Sequence, residues 1–533
     1  MPADPSEFAD LPVGAMDGSP DPVAAEAVPG REPGESGAPG PRPSGLRRVG
    51  LFFLAFASGF AVLTIEIAGA RLIAPVFGLS AVPWTAVIGV ILAALAVGSH
   101  LEGRLADAGR LPLSAVLVAA AVAGAVPLLG GDVPWLARTL FGFIGGAVVT
   151  SAILFAPAVL CLGAVVPYLV QADTESLGNV GRRAGDVSAA ATAGSIAGSF
   201  VTGFFLLPAM PLPILLGATS AFLVALAVLA AWLLKDPAPP RGLLAVGALG
   251  LVGLGYLASR PPGDTLFQAQ TLYASVKVTE RTWTDGRVVR EMWQNGGSSS
   301  AEYVDTGRPA HVYLQVSMEL LEPVLPRLDS ALVLGGAALS LPVELVQRNP
   351  GVHVDVVEID PVVTDLARRF FAYGQAERPG IRVVHDDARV HLRGSDRTYD
   401  LVYLDVFDHL LTVPWTMVTE EALTDMAGHL EADGLFMANV LSPQTGVGAA
   451  FLERFLATAE RAFGHVRVYL TAADVRPEAI QNVIVVAARS ASALPATDRA
   501  LSPVVAGGRV LTDDWAPVEY LQARVFLEGV RWN

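Results

Sequence analysis

Between Val49 and Ser259 the chain is a succession of long apolar stretches, and these constrain its fold more than any other feature. They fall near 50–75, 83–101, 112–130, 141–170, 187–209, 212–234 and 242–259. Most hold the roughly 20 residues that a helix needs to cross the hydrocarbon core of a bilayer. In lipid each backbone amide has to be bonded within its own segment, so residues 46–260 are expected to form a multi-span α-helical membrane domain of about seven spans. Composition agrees: 52% of the chain is hydrophobic and 16% is charged, a balance foreign to a wholly soluble protein. Small residues crowd the fifth stretch, Val187-Ser-Ala-Ala-Ala-Thr-Ala-Gly-Ser-Ile-Ala-Gly-Ser199, which marks it as a close-packing helix.

Basic residues set an orientation. Arg47 and Arg48 precede the first stretch, Arg104 and Arg110 follow the second, Arg182 and Arg183 follow the fourth, and Lys235 and Arg241 follow the sixth. Basic loops stay on the cytoplasmic side, so the N-terminus of a multi-pass cell-membrane protein is expected there. Seven full crossings would then leave the C-terminal half outside. The last stretch is short and glycine-rich, and a re-entrant or interfacial course for it is the alternative. Glu66 and Arg71 lie within or at the end of the first stretch, where charge is costly. They are read either as functional groups or as a paired Glu and an interfacial Arg.

Residues 1–45 are rich in Pro, Gly, Ala and acids and cannot bury a core, so they are expected to be a disordered tail. No basic start precedes an early apolar run, so a signal peptide is not expected. A net charge of −15 argues against a nucleic-acid partner. The single Cys161 leaves no disulfide framework within the chain, and the eight histidines are not paired at ligand spacing, so no metal site is expected.

From about Asp264 the composition turns soluble. Segments 270–280 and 286–294 are β-rich and joined by Trp283-Thr-Asp-Gly286, a hairpin signal within a small β subdomain over 264–325. Over 326–533 apolar strands at 331–335, 353–358, 381–385, 399–405, 434–440, 465–470 and 481–487 alternate with helical stretches near 341–349, 361–373, 417–431 and 447–463. That alternation predicts a mostly parallel, doubly wound α/β domain.

Ligands of such sheets bind beyond the carboxyl ends of the strands. Gly335 and Gly336 follow the first strand, where backbone can approach a ligand. Glu358 ends the second, placed to accept hydrogen bonds from both ribose hydroxyls. Asp360, just before Pro361, reads instead as a helix cap. Asp386 and Asp387 follow the third strand, and Asp405 and Asp408 the fourth. Leu511-Thr-Asp-Asp-Trp-Ala-Pro-Val-Glu519 reads either as a segment closing over the site or as a turn with a docking Trp.

These residues bring out a likeness. Residues 265–525 resemble the spermidine synthases (polyamine aminopropyltransferases), which share the Rossmann-like fold of class I methyltransferases. Thr271-Leu-Tyr-Ala-Ser-Val-Lys-Val278 is similar to their N-terminal β subdomain, and Glu358-Ile-Asp360 to their ribose-binding element. His385-Asp-Asp-Ala-Arg389 is similar to the element whose acid contacts the adenine amino group, here Asp387. Tyr399-Asp-Leu-Val-Tyr-Leu-Asp-Val-Phe-Asp408 resembles the segment carrying the catalytic acid, here Asp405, and an amine-holding acid, here Asp408. Ser58-Gly-Phe…Glu66 and Gly194…Pro208 resemble the membrane-fused members. The resemblance implies no permanently bound cofactor, decarboxylated S-adenosylmethionine (or S-adenosylmethionine) as co-substrate, an amine or polyamine as acceptor, and a cytoplasmic α/β domain. A homodimer is compatible with it.

The sequence departs from the family pattern. Its Gly-Gly-Gly-Asp-Gly loop reads Gly335-Gly-Ala-Ala-Leu339, so Ala338 stands where the aminopropyl-binding acid would be. Tyr-Gln reads Tyr273-Ala274, Tyr-x-Glu reads Tyr313-Leu-Gln315, and Asp-Pro-x-Gly-Pro reads Asp408-His-Leu-Leu-Thr-Val-Pro414. Three readings stand: a membrane-anchored aminopropyltransferase, a transferase using an S-adenosylmethionine-type nucleotide with another acceptor, and a membrane transport or sensor protein with a non-catalytic nucleotide pocket.

Overall fold

The computed structural model describes residues 45–78, 81–107, 111–173, 180–235, 241–258, 263–376, 378–407 and 412–527. They belong to one compact unit, Pro43–Asn533. The expected N-terminal tail and Asp408 lie outside the described residues.

The N-terminal half is helical: α1 (Gly45–Phe77), α2 (Ala81–Asp107), α3 (Leu113–Gly124), α4 (Val133–Leu154), α5 (Ala156–Gly163), α6 (Val165–Asp173), α7 (Val180–Val201), α8 (Leu207–Ala209), α9 (Leu212–Leu234) and α10 (Arg241–Ala258). Six helical segments are long and apolar enough to cross a membrane. Two packing arrangements follow directly from small residues. α1 and α7 run side by side, and a Cβ on Gly194 would lie 1.8 Å from the Phe56 carbonyl oxygen. Only a residue without a side chain permits that approach. Thr64 and Thr202 hydroxyls meet at 2.9 Å further along the same seam, where a π-helical turn over Thr202–Leu206 extends α7. α10 lies antiparallel on α9: Cβ atoms on Gly217 and Gly255 would meet the carbonyls of Leu251 and Pro213 at 2.6 and 2.5 Å. The last apolar stretch is thus a helix paired with α9 at both of these levels. α4 reverses at Gly142 (φ 71°), which folds Ala137 and Arg138 back against Gly146.

The C-terminal half carries two sheets. β1 (Thr265–Gln270), β2 (Ser275–Thr282), β3 (Val288–Gln294) and β4 (Gly297–Tyr303) form an antiparallel meander, in which the expected hairpin is the middle pair. β5 (Ser330–Leu334), β6 (His353–Val357), β7 (Ile381–Val384), β8 (Tyr399–Leu404), β9 (Leu430–Ser442), β10 (His465–Leu470) and β11 (Gln481–Ala488) form the second, in the order β10-β11-β9-β8-β5-β6-β7. β5 to β9 are parallel, and β10 and β11 are antiparallel, so the sheet is mixed. Its faces are covered by α11 (Val312–Leu321), α12 (Ser340–Arg348), α13 (Pro361–Phe370), α14 (Ala388–Arg393), α15 (Glu420–Gly428) and α16 (Ala450–Phe463), and α17 (Val518–Leu527) follows. Buried apolar residues on both faces, among them Leu332, Val402 and Phe436 on one and Val333, Tyr403 and Met437 on the other, explain why these strands read as continuous apolar runs.

The two halves meet at the end of the bundle that holds Phe77 and Ala81. Arg71 donates to the Leu272 carbonyl at 2.8 Å, and the Ala81 amide donates to Glu519 Oε2 at 2.7 Å. The β3–β4 turn lies on α1, where a Cβ on Gly296 would come within 2.4 Å of the Pro75 carbonyl oxygen. Ala523 of α17 packs into the bundle core.

Candidate functional site

Chain order reverses between β5 and β8, which are neighbours at the centre of the sheet. A crevice opens beyond the carboxyl ends of strands at such a point. Gly335 leaves β5 at φ +92°, and a Cβ there would lie 2.3 Å from the Asp405 carbonyl oxygen. The loop continues with Ala337 at φ +42° and Leu339 at φ +62°. Both non-glycine residues hold left-handed backbone, so the loop keeps a glycine conformation without the glycines.

Glu358, at the end of β6, is buried and bonded to that loop. Its Oε2 accepts from the Gly336 and Ala337 amides at 2.9 and 3.1 Å, and its Oε1 accepts from the Asp360 amide at 3.0 Å. Burial raises its pKa against these three donors. Asp360 caps α13, accepting from the Val362 amide at 3.0 Å. Asp387 caps α14 through the Arg389 and Val390 amides, and Asp386 accepts from the Asp387 amide. Capping and a place on the cavity wall coexist for Asp360 and Asp387.

Asp405, half-buried at the end of β8, has its own scaffold. Tyr313 Oη donates to Oδ2 at 3.0 Å and Asn439 Nδ2 to Oδ1 at 2.9 Å. Asn482 Nδ2 donates in turn to Asn439 Oδ1 at 2.9 Å. Ser317 ties the neighbouring Tyr403 hydroxyl at 2.8 Å. Burial pushes the Asp405 carboxyl up to about 6, while the donors from Asn439 and Tyr313 pull it down. His311, tilted against Tyr313, is pushed down to about 4 by burial and is neutral at pH 7.

These residues line a cavity of about 800 Å³, with Gly335, Gly336, Glu358, Asp386, Asp387 and Asp405 brought together on its wall. Its carboxylates also include Asp360 and Glu519, and among the described lining residues none is Lys or Arg. A concave site of one charge sign concentrates ligands of the other, here cations.

Residues 316–492 match the family described as the spermine/spermidine synthase domain. This chain carries a spermine/spermidine synthase domain. The "Polyamine aminopropyltransferase 1" of Streptomyces coelicolor is 27% identical over 392 residues, covering 67% of this chain and 68% of that protein. The "Polyamine aminopropyltransferase" of Vibrio vulnificus is 32% identical over 120 residues, 22% of this chain. The chain spans only 39% of the length of that Vibrio relative and 26% of a Bifidobacterium longum one. The crystal structure of a probable spermidine synthase from Corynebacterium glutamicum aligns at 19% identity with a TM-score of 0.38, covering 51% of this chain and 97% of that one.

Within the synthase domain the departures in sequence have structural counterparts. Ala338 is fully buried in an apolar cluster with Val276, Met292 and Leu366, and its amide donates to Ser300 Oγ at 3.1 Å. Gln315 turns to the Pro309 carbonyl at 3.1 Å and is not on the cavity wall. Tyr273 stays on the wall, half exposed. Sequence reasoning missed Asn439, Asn482, His311 and Trp415. Asn439 left a usable signal, a lone amide in the apolar run Leu435-Phe-Met-Ala-Asn-Val-Leu441.

Proposed function

We propose that the chain is a membrane-embedded transferase that moves an aminopropyl group from decarboxylated S-adenosylmethionine to a cationic amine. The observation that carries this reading is Asp405, held on the cavity wall by Tyr313 and Asn439 with its carboxyl pushed up to about 6. An ammonium acceptor has to lose a proton before it can attack, and a carboxylate of that pKa binds the cation and takes the proton. The amine nitrogen then forms a bond to the propyl carbon beside the sulfonium. The carbon–sulfur bond breaks and its electron pair stays on sulfur, which leaves as the neutral thioether methylthioadenosine. Asp360, Asp386 and Asp387 add negative field for both cationic substrates. Glu358 would turn from the loop amides to the ribose hydroxyls or hold the loop that does so.

The test uses the full chain in detergent. Asp405→Asn is expected to keep methylthioadenosine binding, measured by calorimetry, and to lower transfer by about 10²–10⁴-fold. Unchanged turnover in Asp405→Asn sinks the assignment. Failure of the folded wild type to bind any adenosyl ligand sinks the transferase reading itself.

A further inference from the structure

We infer that the α/β domain and its cavity lie across the bilayer from the N-terminus, on the non-cytoplasmic side. The inference rests on the bundle crossing a membrane and not on the identity of the donor. It departs from the cytoplasmic placement that the family resemblance implies.

The bundle has two distinct ends. α1 has 33 residues, about 50 Å at 1.5 Å per residue, so Gly45 and Phe77 lie on opposite sides of a core about 30 Å thick. α7 is parallel to α1, since Phe56, Phe60 and Thr64 face Gly194, Gly198 and Thr202 in turn. Val180 therefore starts at the Gly45 end. Asp173, closing α6, reaches that end too, with Arg183 at 3.1 Å and Arg48 at 3.8 Å. α9 finishes there, where a Cβ on Gly50 would lie 2.6 Å from Leu233. α10, antiparallel to α9, starts there and ends at the Phe77 end, where the domain is bonded.

The passes can be followed one by one. α1 runs toward the domain and α2 away from it. α3 and the first limb of α4 return, and Phe143, just past the Gly142 reversal, lies tilted against Phe77 with ring centroids 5.9 Å apart. The second limb of α4, with α5 and α6, runs away again. α7 returns, α9 leaves, and α10 returns. The number of passes is odd, because the reversal at Gly142 makes α4 a helical hairpin and not one crossing.

Charge then orients the bundle. Arg47, Arg48, Arg182, Arg183 and Lys235 belong to the Gly45 end, and Arg104 and Arg241 fall in the last turns of α2 and at the start of α10. At the Phe77 end the described bundle residues offer Arg71 and Arg138, each bonded to a carbonyl, of Leu272 and Val76. A basic excess this lopsided places the Gly45 end in the cytoplasm. An adenosyl sulfonium used in the cavity would then have to be supplied across the membrane, so a transport step for such a nucleoside must precede the reaction.

The test removes Cys161, the only cysteine, as Cys161→Ser, and introduces Ala432→Cys, exposed in the domain, or Gly181→Cys, whose Cβ meets nothing within 4 Å. Right-side-out vesicles holding the full chain are treated with a membrane-impermeant maleimide. The expected result is complete labelling of Ala432→Cys before the vesicles are opened and of Gly181→Cys only afterwards. Protection of Ala432→Cys in sealed vesicles overturns the placement, and so does labelling of both positions. Alkaline phosphatase fused after Asn533 answers the same question without cysteines: active enzyme is expected, and inactive enzyme overturns the placement. Adenosyl-ligand binding by the solubilised chain is read separately, so loss of the transferase reading and loss of the placement give different results.

Discussion

At the scale of single residues, the site trades backbone comfort for a fixed loop. Ala337 sits at φ +42° with its amide on Glu358. Ala337→Gly keeps that bond and removes the left-handed penalty, so thermal melting should show a gain of about 1 kcal/mol. Ala338→Asp would restore the acid of the family loop but place it among Val276, Met292 and Leu366. It should lower stability by at least about 2 kcal/mol and not improve transfer. Among the carboxyls that bind protons more tightly in the fold than in the unfolded chain are Asp405, at about 6, and Glu302, buried between Ser340 and the Ala372 amide, at about 7. Their contribution is fully present below the ordinary carboxylate range and is lost as pH rises through 6 to 7. Melting temperature should therefore fall across that window, and Glu302→Gln should flatten the fall. Transfer runs the other way, rising as Asp405 ionises near pH 6. A profile flat from pH 5 to 7 would count against Asp405 as the base.

At the scale of elements, what the sequence made legible follows from period and length. All seven strands of the large sheet announced themselves, the five inner ones because burial on both faces makes each an apolar run, and the edge strands β7 and β10 by their β-branched residues although they are partly exposed. β1, β4 and α11 did not: Gly297-Ser-Ser-Ser-Ala-Glu-Tyr303 holds its place by pairing with β3, and pairing leaves no local mark. The same reason hid half of the site. Asp405 stands at a strand end and could be found by position, whereas Asn439 reaches it only through the register that sets Leu404 beside Ala438. The small-residue run of the fifth stretch was legible, and its purpose is visible in the 1.8 Å that a Cβ on Gly194 would leave to Phe56. Gly194→Leu should force α1 and α7 apart and sharply cut the yield of monodisperse protein in detergent, whereas Gly181→Leu, in open space on the same helix, should not.

At the scale of the whole molecule, the cavity and the bundle share a wall. Tyr273 follows the carbonyl held by Arg71, Gly296 rests on Pro75, and Glu519 both lines the cavity and binds the Ala81 amide. Gly296→Ala, at φ +83° and 2.4 Å from the Pro75 oxygen, should loosen this seam. Limited proteolysis at the exposed Gly263 and Asp264 should then accelerate while the bundle itself stays intact. The bond between Ala81 and Glu519 joins residues 438 apart in sequence. At about 5–20 residues per second, a ribosome needs roughly 20–90 s to travel from one to the other. The second helix is therefore made long before the carboxylate that its first amide binds, and that amide lacks this partner until Glu519 has been added. The contact between the two halves at this helix terminus thus belongs to the last stage of synthesis.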